Sequence, residues 1–218
     1  MKLIEPSATL IAKTQLIGDN SPESPMKLIE QAGRTCYKSE AKTTEDSWNY
    51  FVHMIKTKGH ESVLEHVSAT IRIICDRGVS HELVRHRVAS FSQESTRYCN
   101  YAPDKKGITF IAPFWFSSTS WENPKKRAFY EALMGAEDFY NALIEYGATP
   151  QEARAVLPNA LKTEIVATMN LRSWKHFLEL RLSRQAHPDM QIVARLIRDQ
   201  LTLHFPVIFD EFKGEVKK

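Results

Sequence analysis

Apolar residues recur along this chain at two spacings, and each change of spacing marks an element. From Ser47 onward, Trp48, Phe51, Val52 and Ile55 share one helical face, with Ser47 placed to cap the helix and Gly59 to end it. The run HVSATIRIICD at 66–76 alternates instead: Val67, Ala69, Ile71 and Ile73 against Ser68, Thr70 and Arg72, a strand with one wet face. RGVSHELVRHR then reads as a helix delivering Arg85, His86 and Arg87 at its end. Asn123 caps a long helix with Pro124 in its first turn. Its wide stripe is Phe129, Ala132, Leu133, Ala136, Phe139, Tyr140, Leu143 and Ile144, and Gly147 closes it. Thr149-Pro150-Gln151-Glu152 is a capping box opening a short helix that carries Arg154. A second strand is predicted at 162–170, then a helix capped by Asn170 and running through Phe177, Leu178 and Arg181, and a last helix between Pro188 and Pro206. A further helix is predicted from Met26 through Cys36, after the loop GDNSPESP, and a Pro- and aromatic-rich connection over 100–123. The class is mixed α/β (α+β): helix-rich, with a small antiparallel or mixed sheet.

Composition narrows this picture. The 218 residues suit one domain spanning 1–218 with a sizeable core, and 43% hydrophobic with 25% charged residues is ordinary for a soluble globular protein. The net charge of +3 lacks the basic excess of a nucleic-acid-binding domain. Cys36, Cys75 and Cys99 are odd in number and far apart, which fits a reducing cytoplasm better than a disulfide framework. Glu5 and Pro6 interrupt any signal-peptide core, and no run approaches the ~20 apolar residues of a membrane span.

The eight glycines carry an exclusion. No two are placed for G-x-G-x-x-G or a Walker A loop, so bound phosphates would need charged side chains instead of a Gly-rich backbone cradle. Arg85, Arg87, Arg97, Arg154, Arg172 and Arg181 can supply rigid guanidinium forks, and Ser90, Ser92, Ser95 and Thr96 neutral donors. Most single arginines merely solvate a surface. Arg85, His86 and Arg87 on a helix would point around most of its circumference, which one solvated stripe does not explain. GHESVLEH gathers His60, Glu61, Glu65 and His66, with His53 upstream, but His60 and His66 match no H-E-x-x-H spacing, so a metal site is not expected. No serine sits in G-x-S-x-G.

The pattern R-H-R-x-x-S-x-x-x-x-S-x-R, formed by Arg85, His86, Arg87, Ser90, Ser95 and Arg97, resembles the signature of flavin-dependent thymidylate synthases. GHESVLEH, ARAVLP (153–158), MNLRSWKHFLELR (169–181) and AHPDMQI resemble further segments of that family, and the likeness covers roughly Met26 to Phe209. The resemblance implies a fold particular to the family and a cytoplasmic homotetramer with active sites at subunit junctions. The reaction implied carries the methylene carbon of 5,10-methylenetetrahydrofolate to C5 of dUMP, with reduced FAD as hydride donor and NADPH or a similar donor to re-reduce the flavin. It also implies roles. Ser62, Arg85, His86, Arg87, Gln93, Asn170, Leu171, Arg172 and His176 match flavin contacts. Glu82, Leu83, Val84, Arg85, Gln93, Glu94, Ser95, Thr96, Arg97, Arg154 and Arg181 match the dUMP site. Arg181 matches the activating residue: a guanidinium keeps its charge in proteins, so its role is electrostatic, favouring the N3-ionised uracil. His60 matches a position near flavin and folate. Departures from relatives are Glu82 for Gln, Ser92 for Asn, His176 for Asn and Gln185 for His. Two other classes stay open: a phosphate- or nucleic-acid-binding module using the Arg/Ser cluster, and a metal-dependent hydrolase using His53, His60 and His66.

Overall fold

The computed structural model describes residues 1–102, 104–105 and 107–214. Positions 103 and 106 of the predicted 100–123 connection, and residues 215–218 of the expected 1–218 domain, lie outside the described residues. In chain order the elements are β1 (Lys2–Ile4), β2 (Ser7–Lys13), α1 (Ser24–Tyr37), α2 (Ser47–Lys58), β3 (Ser68–Asp76), α3 (Arg77–Leu83), β4 (Ala89–Gln93), β5 (Thr109–Ile111), α4 (Pro124–Glu145), α5 (Pro150–Ala153), β6 (Lys162–Asn170), α6 (Leu171–Arg181), α7 (Pro188–His204) and α8 (Pro206–Phe209). Short 3-10 turns lie between some of them, one at Glu61–His66. The result is helix-rich mixed α/β with two small sheets, one of order β2-β3-β6-β4 and one pairing β1 with β5. That is the predicted class.

The chain divides into two compact units. The first comprises Met1–Ser7, Ile73–Arg85 and Ser92–Ile165. Here β1 and β5 pair in parallel, Leu3 opposite Phe110. Phe110, Ile108, Leu133, Tyr140, Ala153 and Leu161 close the core, and the Tyr140 hydroxyl accepts the Tyr101 N–H at 3.2 Å. The predicted stripe of α4 is narrower than expected. Leu133 and Tyr140 are buried, but Ala132 and Phe139 face solvent. Asn123 caps α4 by accepting the Lys125 N–H, and Gly147 follows it in the left-handed region at φ 88°.

The second unit comprises Ala8–Arg72, His86–Phe91 and the described chain from Val166 onward. Helix α1 packs on α2, α2 on α8, and α6 on α7. A Cβ at Gly33 would lie 2.7 Å from Phe51 Cε1, so glycine sets how closely α1 approaches α2. Ser47 does not cap α2: Asp46 precedes the helix, and the Ser47 hydroxyl accepts the Thr44 N–H at 2.9 Å and donates to the Thr44 carbonyl at 3.0 Å. A local Ser turn outcompetes the cap.

Helix α6 carries four candidate residues, Leu171, Arg172, His176 and Arg181, and its start is tightly fixed. The Asn170 side-chain oxygen accepts the Ser173 N–H at 2.8 Å, the Leu171 N–H donates to the Val67 carbonyl at 2.9 Å, and the buried Trp174 indole donates to the Ala69 carbonyl at 3.0 Å. Asn170→Ala should lower stability by about 1 kcal/mol, and Asn170→Asp should recover most of it. Thermal or urea unfolding of the variants measures this.

Candidate active site

Helix α3 ends earlier than its apolar pattern suggests. It stops at Leu83, so Arg85, His86 and Arg87 lie in the turn after it, not on its circumference. The chain re-enters β4 through Val88, a β-branched residue at φ 64° whose side chain is 76% exposed. Such a residue in the left-handed region is strained, and strain of this kind persists where the surroundings hold it. Ser90, read from the sequence as a neutral donor, is an exposed residue of β4.

In the first unit the later half of the signature forms a turn. The Tyr98 and Cys99 N–H groups donate to the Ser95 carbonyl at 3.2 and 2.9 Å, and the Arg97 N–H to the Ser95 hydroxyl at 3.3 Å. Thr96 is buried, and its hydroxyl accepts from Arg154 Nη1 at 3.1 Å. Arg154 follows α5 directly, where the Glu152 carboxylate accepts from the Thr149 N–H at 2.8 Å and its hydroxyl at 2.6 Å. Thr96 and Arg154 are thus brought together 58 residues apart in sequence, and exposed Arg97 lies beside them in the chain, over the Tyr98 ring. Gln93 spends its amide on the hydroxyls of Ser80 and Thr163, at 2.9 and 3.1 Å. Glu94 accepts from Lys162 at 2.7 Å and from the Tyr101 hydroxyl at 3.1 Å. Burial, and then the Glu94 carboxylate, push the Tyr101 hydroxyl well above the usual phenol range. Leu83 is wholly buried, while Val84 and Arg85 are exposed and Glu82 half-buried. Lys162 and Tyr101 were invisible as site supports, because nothing local ties them to Glu94.

In the second unit, His86 is 8% exposed, and its ring packs edge-on against Phe177 at 4.9 Å and near His176 at 6.3 Å. Arg181 Nε donates to His86 Nε2 at 2.9 Å. Burial, then the charge of Arg181, then His176 lower the His86 pKa from 6.5 to about 4. Arg87 and His176 are exposed, and Leu171 is wholly buried. Ser62 and Arg172 share an open cleft of about 820 Å³ with Phe51, Tyr50, Lys42 and Lys58, none of the last four marked by motif. His60 lines it too. Arg172 meets Glu65 at 2.6 Å with both side chains about half exposed, a pair that solvent weakens and a ligand can divert. The cleft's chemistry fits a flavin: aromatic walls for a flat ring, a hydroxyl donor, and cations for phosphates. His53, His60 and His66 join no cluster of three His, Cys, Asp or Glu side chains among the described residues.

Residues 15–207 match the family model described as thymidylate synthase complementing protein. The chain belongs to that family. Among its curated relatives, a flavin-dependent thymidylate synthase of Geobacter sulfurreducens is 37% identical over 78% of this chain and 74% of its own. One from Corynebacterium aurimucosum is 36% identical (89% and 82%), and one from Mycobacterium tuberculosis 35% identical (94% and 88%). The family is one of enzymes, as the resemblance implied. A UMP/dUMP methylase, PolB from Streptomyces cacaoi, solved bound with 5-Br dUMP, superposes with a TM-score of 0.77 over 99% of this chain and 98% of its own. At 22% identity that likeness establishes the shared fold. Among the described residues no helix is long and apolar enough to cross a membrane.

Two outcomes follow from the turn at 85–88. The unfolded His86 binds a proton below about 6.5 and the folded one only below about 4, so its contribution to stability is present above pH 6.5 and lost as pH falls towards 4. Denaturant unfolding across that window should show a shallower pH slope for His86→Gln than for wild type. Val88→Gly should raise stability by about 1 kcal/mol, since it releases strain and gives up an exposed side chain. The same measurement checks it.

Proposed function

We propose that this chain is a flavin-dependent thymidylate synthase, a single synthase domain over its whole length. Its reaction moves the methylene carbon of 5,10-methylenetetrahydrofolate to C5 of dUMP and reduces it to methyl, giving dTMP and tetrahydrofolate. FAD is its cofactor, and NADPH restores the reduced flavin. The observation that carries this reading is the complete signature from Arg85 to Arg97 within a chain that belongs to the family over residues 15–207. The relatives' names supply flavin and thymidylate, and the 5-Br dUMP bound to the Streptomyces protein supports a uridine monophosphate substrate.

The roles follow from the chemistry of each group. The Ser95 to Arg97 turn and Arg154 offer N–H, hydroxyl and guanidinium donors, a set suited to the dUMP phosphate. Glu82, Leu83, Val84, Arg85, Gln93 and Glu94 complete the nucleotide site. Glu94 and Gln93 chiefly shape the turn, since their side chains are already engaged. Arg181 places a fixed positive charge at the uracil edge, stabilising the N3-ionised form and so raising electron density at C5. Ser62, Arg85, His86, Arg87, Gln93, Asn170, Leu171, Arg172 and His176 hold the flavin. When bound, FAD supplies the hydride that the methylene carbon needs. The working form is a cytoplasmic homotetramer with active sites at subunit junctions, acting on small molecules and using neither nucleic acid nor membrane.

Purified protein should show flavin absorption that shifts on addition of dUMP, and should form dTMP from dUMP, methylenetetrahydrofolate and NADPH. Protein that stays colourless with added FAD would sink the reading. Arg181→Ala should cost at least ~100-fold in turnover while circular dichroism and flavin content stay near wild type; near-normal activity would remove Arg181 from its role.

A further inference from the structure

We infer that His86 is a positioning residue for Arg181, fixing the plane of its guanidinium, in addition to any contact with flavin. The inference rests on the synthase reading for its functional consequence, but the pairing itself stands on geometry. A guanidinium Nε only donates, so His86 Nε2, at 2.9 Å, must accept. The imidazole is then neutral, with its proton on Nδ1. The surroundings agree with that state: burial and the adjacent charge both disfavour a second proton on His86.

His86 can hold Arg181 because it is itself held. Its ring is 8% exposed and packed edge-on against Phe177, one helical turn before Arg181 on α6. Arg181 ends α6, and its long side chain carries rotamer entropy that each fixed contact reduces. With Nε fixed, the guanidinium plane and the direction of its terminal nitrogens are set before substrate arrives. An electrostatic role depends on such pre-organisation, because a charge that must reorient loses much of its effect at the reacting atom.

The test uses the flavin-loaded enzyme and the variants H86A, H86Q, R181K and H86A/R181K. H86A should lower kcat by ~10–100-fold, the scale of an ångström-sized misplacement of a catalytic group. Its KM for dUMP should stay within about threefold, well inside the tenfold that 1.4 kcal/mol represents, with kcat counted per bound flavin because His86 also stands among the flavin-holding residues. H86Q should recover much of the loss, since its amide oxygen accepts the same N–H. In the R181K background, which lacks that N–H, H86A should cost little more. Losses that multiply in the double variant, or an H86A loss that vanishes when activity is counted per bound flavin, would overturn the proposal. A second readout separates this from the synthase reading. In ¹⁵N-histidine-labelled protein at neutral pH, the His86 Nε2 resonance should move on R181K. If it moves in a protein without synthase activity, the pairing stands and the functional reading fails. If it does not move in an active enzyme, the pairing fails.

Discussion

The junction between β6 and α6 is the constraint on which the proposed flavin site depends. Three hydrogen bonds made within five residues set it: the Leu171 N–H to Val67, the Asn170 cap on Ser173, and the Trp174 indole on Ala69. A helix hinged at one bond could swing, but a helix bonded at its cap, its first residue and its first buried aromatic cannot. Arg172, His176 and Arg181 therefore leave α6 in directions fixed by the strand beside it. The arrangement replaces what a glycine-rich loop does elsewhere. In a Rossmann fold, backbone N–H groups at a helix start meet the phosphates; here the helix start is closed by its own asparagine, and side chains must do the binding.

How much of this was readable in the sequence depended on the range of the interaction involved. Helix starts at Asn123, Thr149 and Asn170 were legible because a cap is a contact between residues two or three apart. Strands β3 and β6 were legible because each buries every second side chain over nine residues. Strands β1 and β5 were not: each is three residues long, and each gains its partner only from more than a hundred positions away. Strand β2 has no buried residue, and β4 alternates Ala89 and Phe91 with Ser90 and Ser92 over only five residues, too short a run to stand out. Helix α3 was overextended because Val84 continues its apolar spacing, whereas the backbone turns there.

The same rule governs the site. The signature was visible as a pattern of residue types, and it drew attention to Arg85 through Arg97. Its internal logic was not visible. His86 meets Arg181 across 95 residues, Thr96 meets Arg154 across 58, and Glu94 meets Lys162 across 68. Only folding shows that Glu94 and Gln93 are committed to neighbours. The cleft residues Lys42, Tyr50 and Lys58 carried no signal at all, since an exposed lysine or tyrosine on a helix is ordinary until a concave surface forms around it.

The Glu94–Lys162 pair has a consequence for selectivity. Because Lys162 and Tyr101 satisfy the Glu94 carboxylate, its charge is balanced locally and does not oppose an anion at the adjoining turn. What the turn and its immediate partner then offer is two guanidinium charges, Arg97 and Arg154. A phosphate monoester carries nearly two negative charges at neutral pH, so ligand and turn cancel. A di- or triphosphate would bring excess negative charge with no further cation on the turn to meet it. At the turn itself, charge balance thus suits a monophosphate.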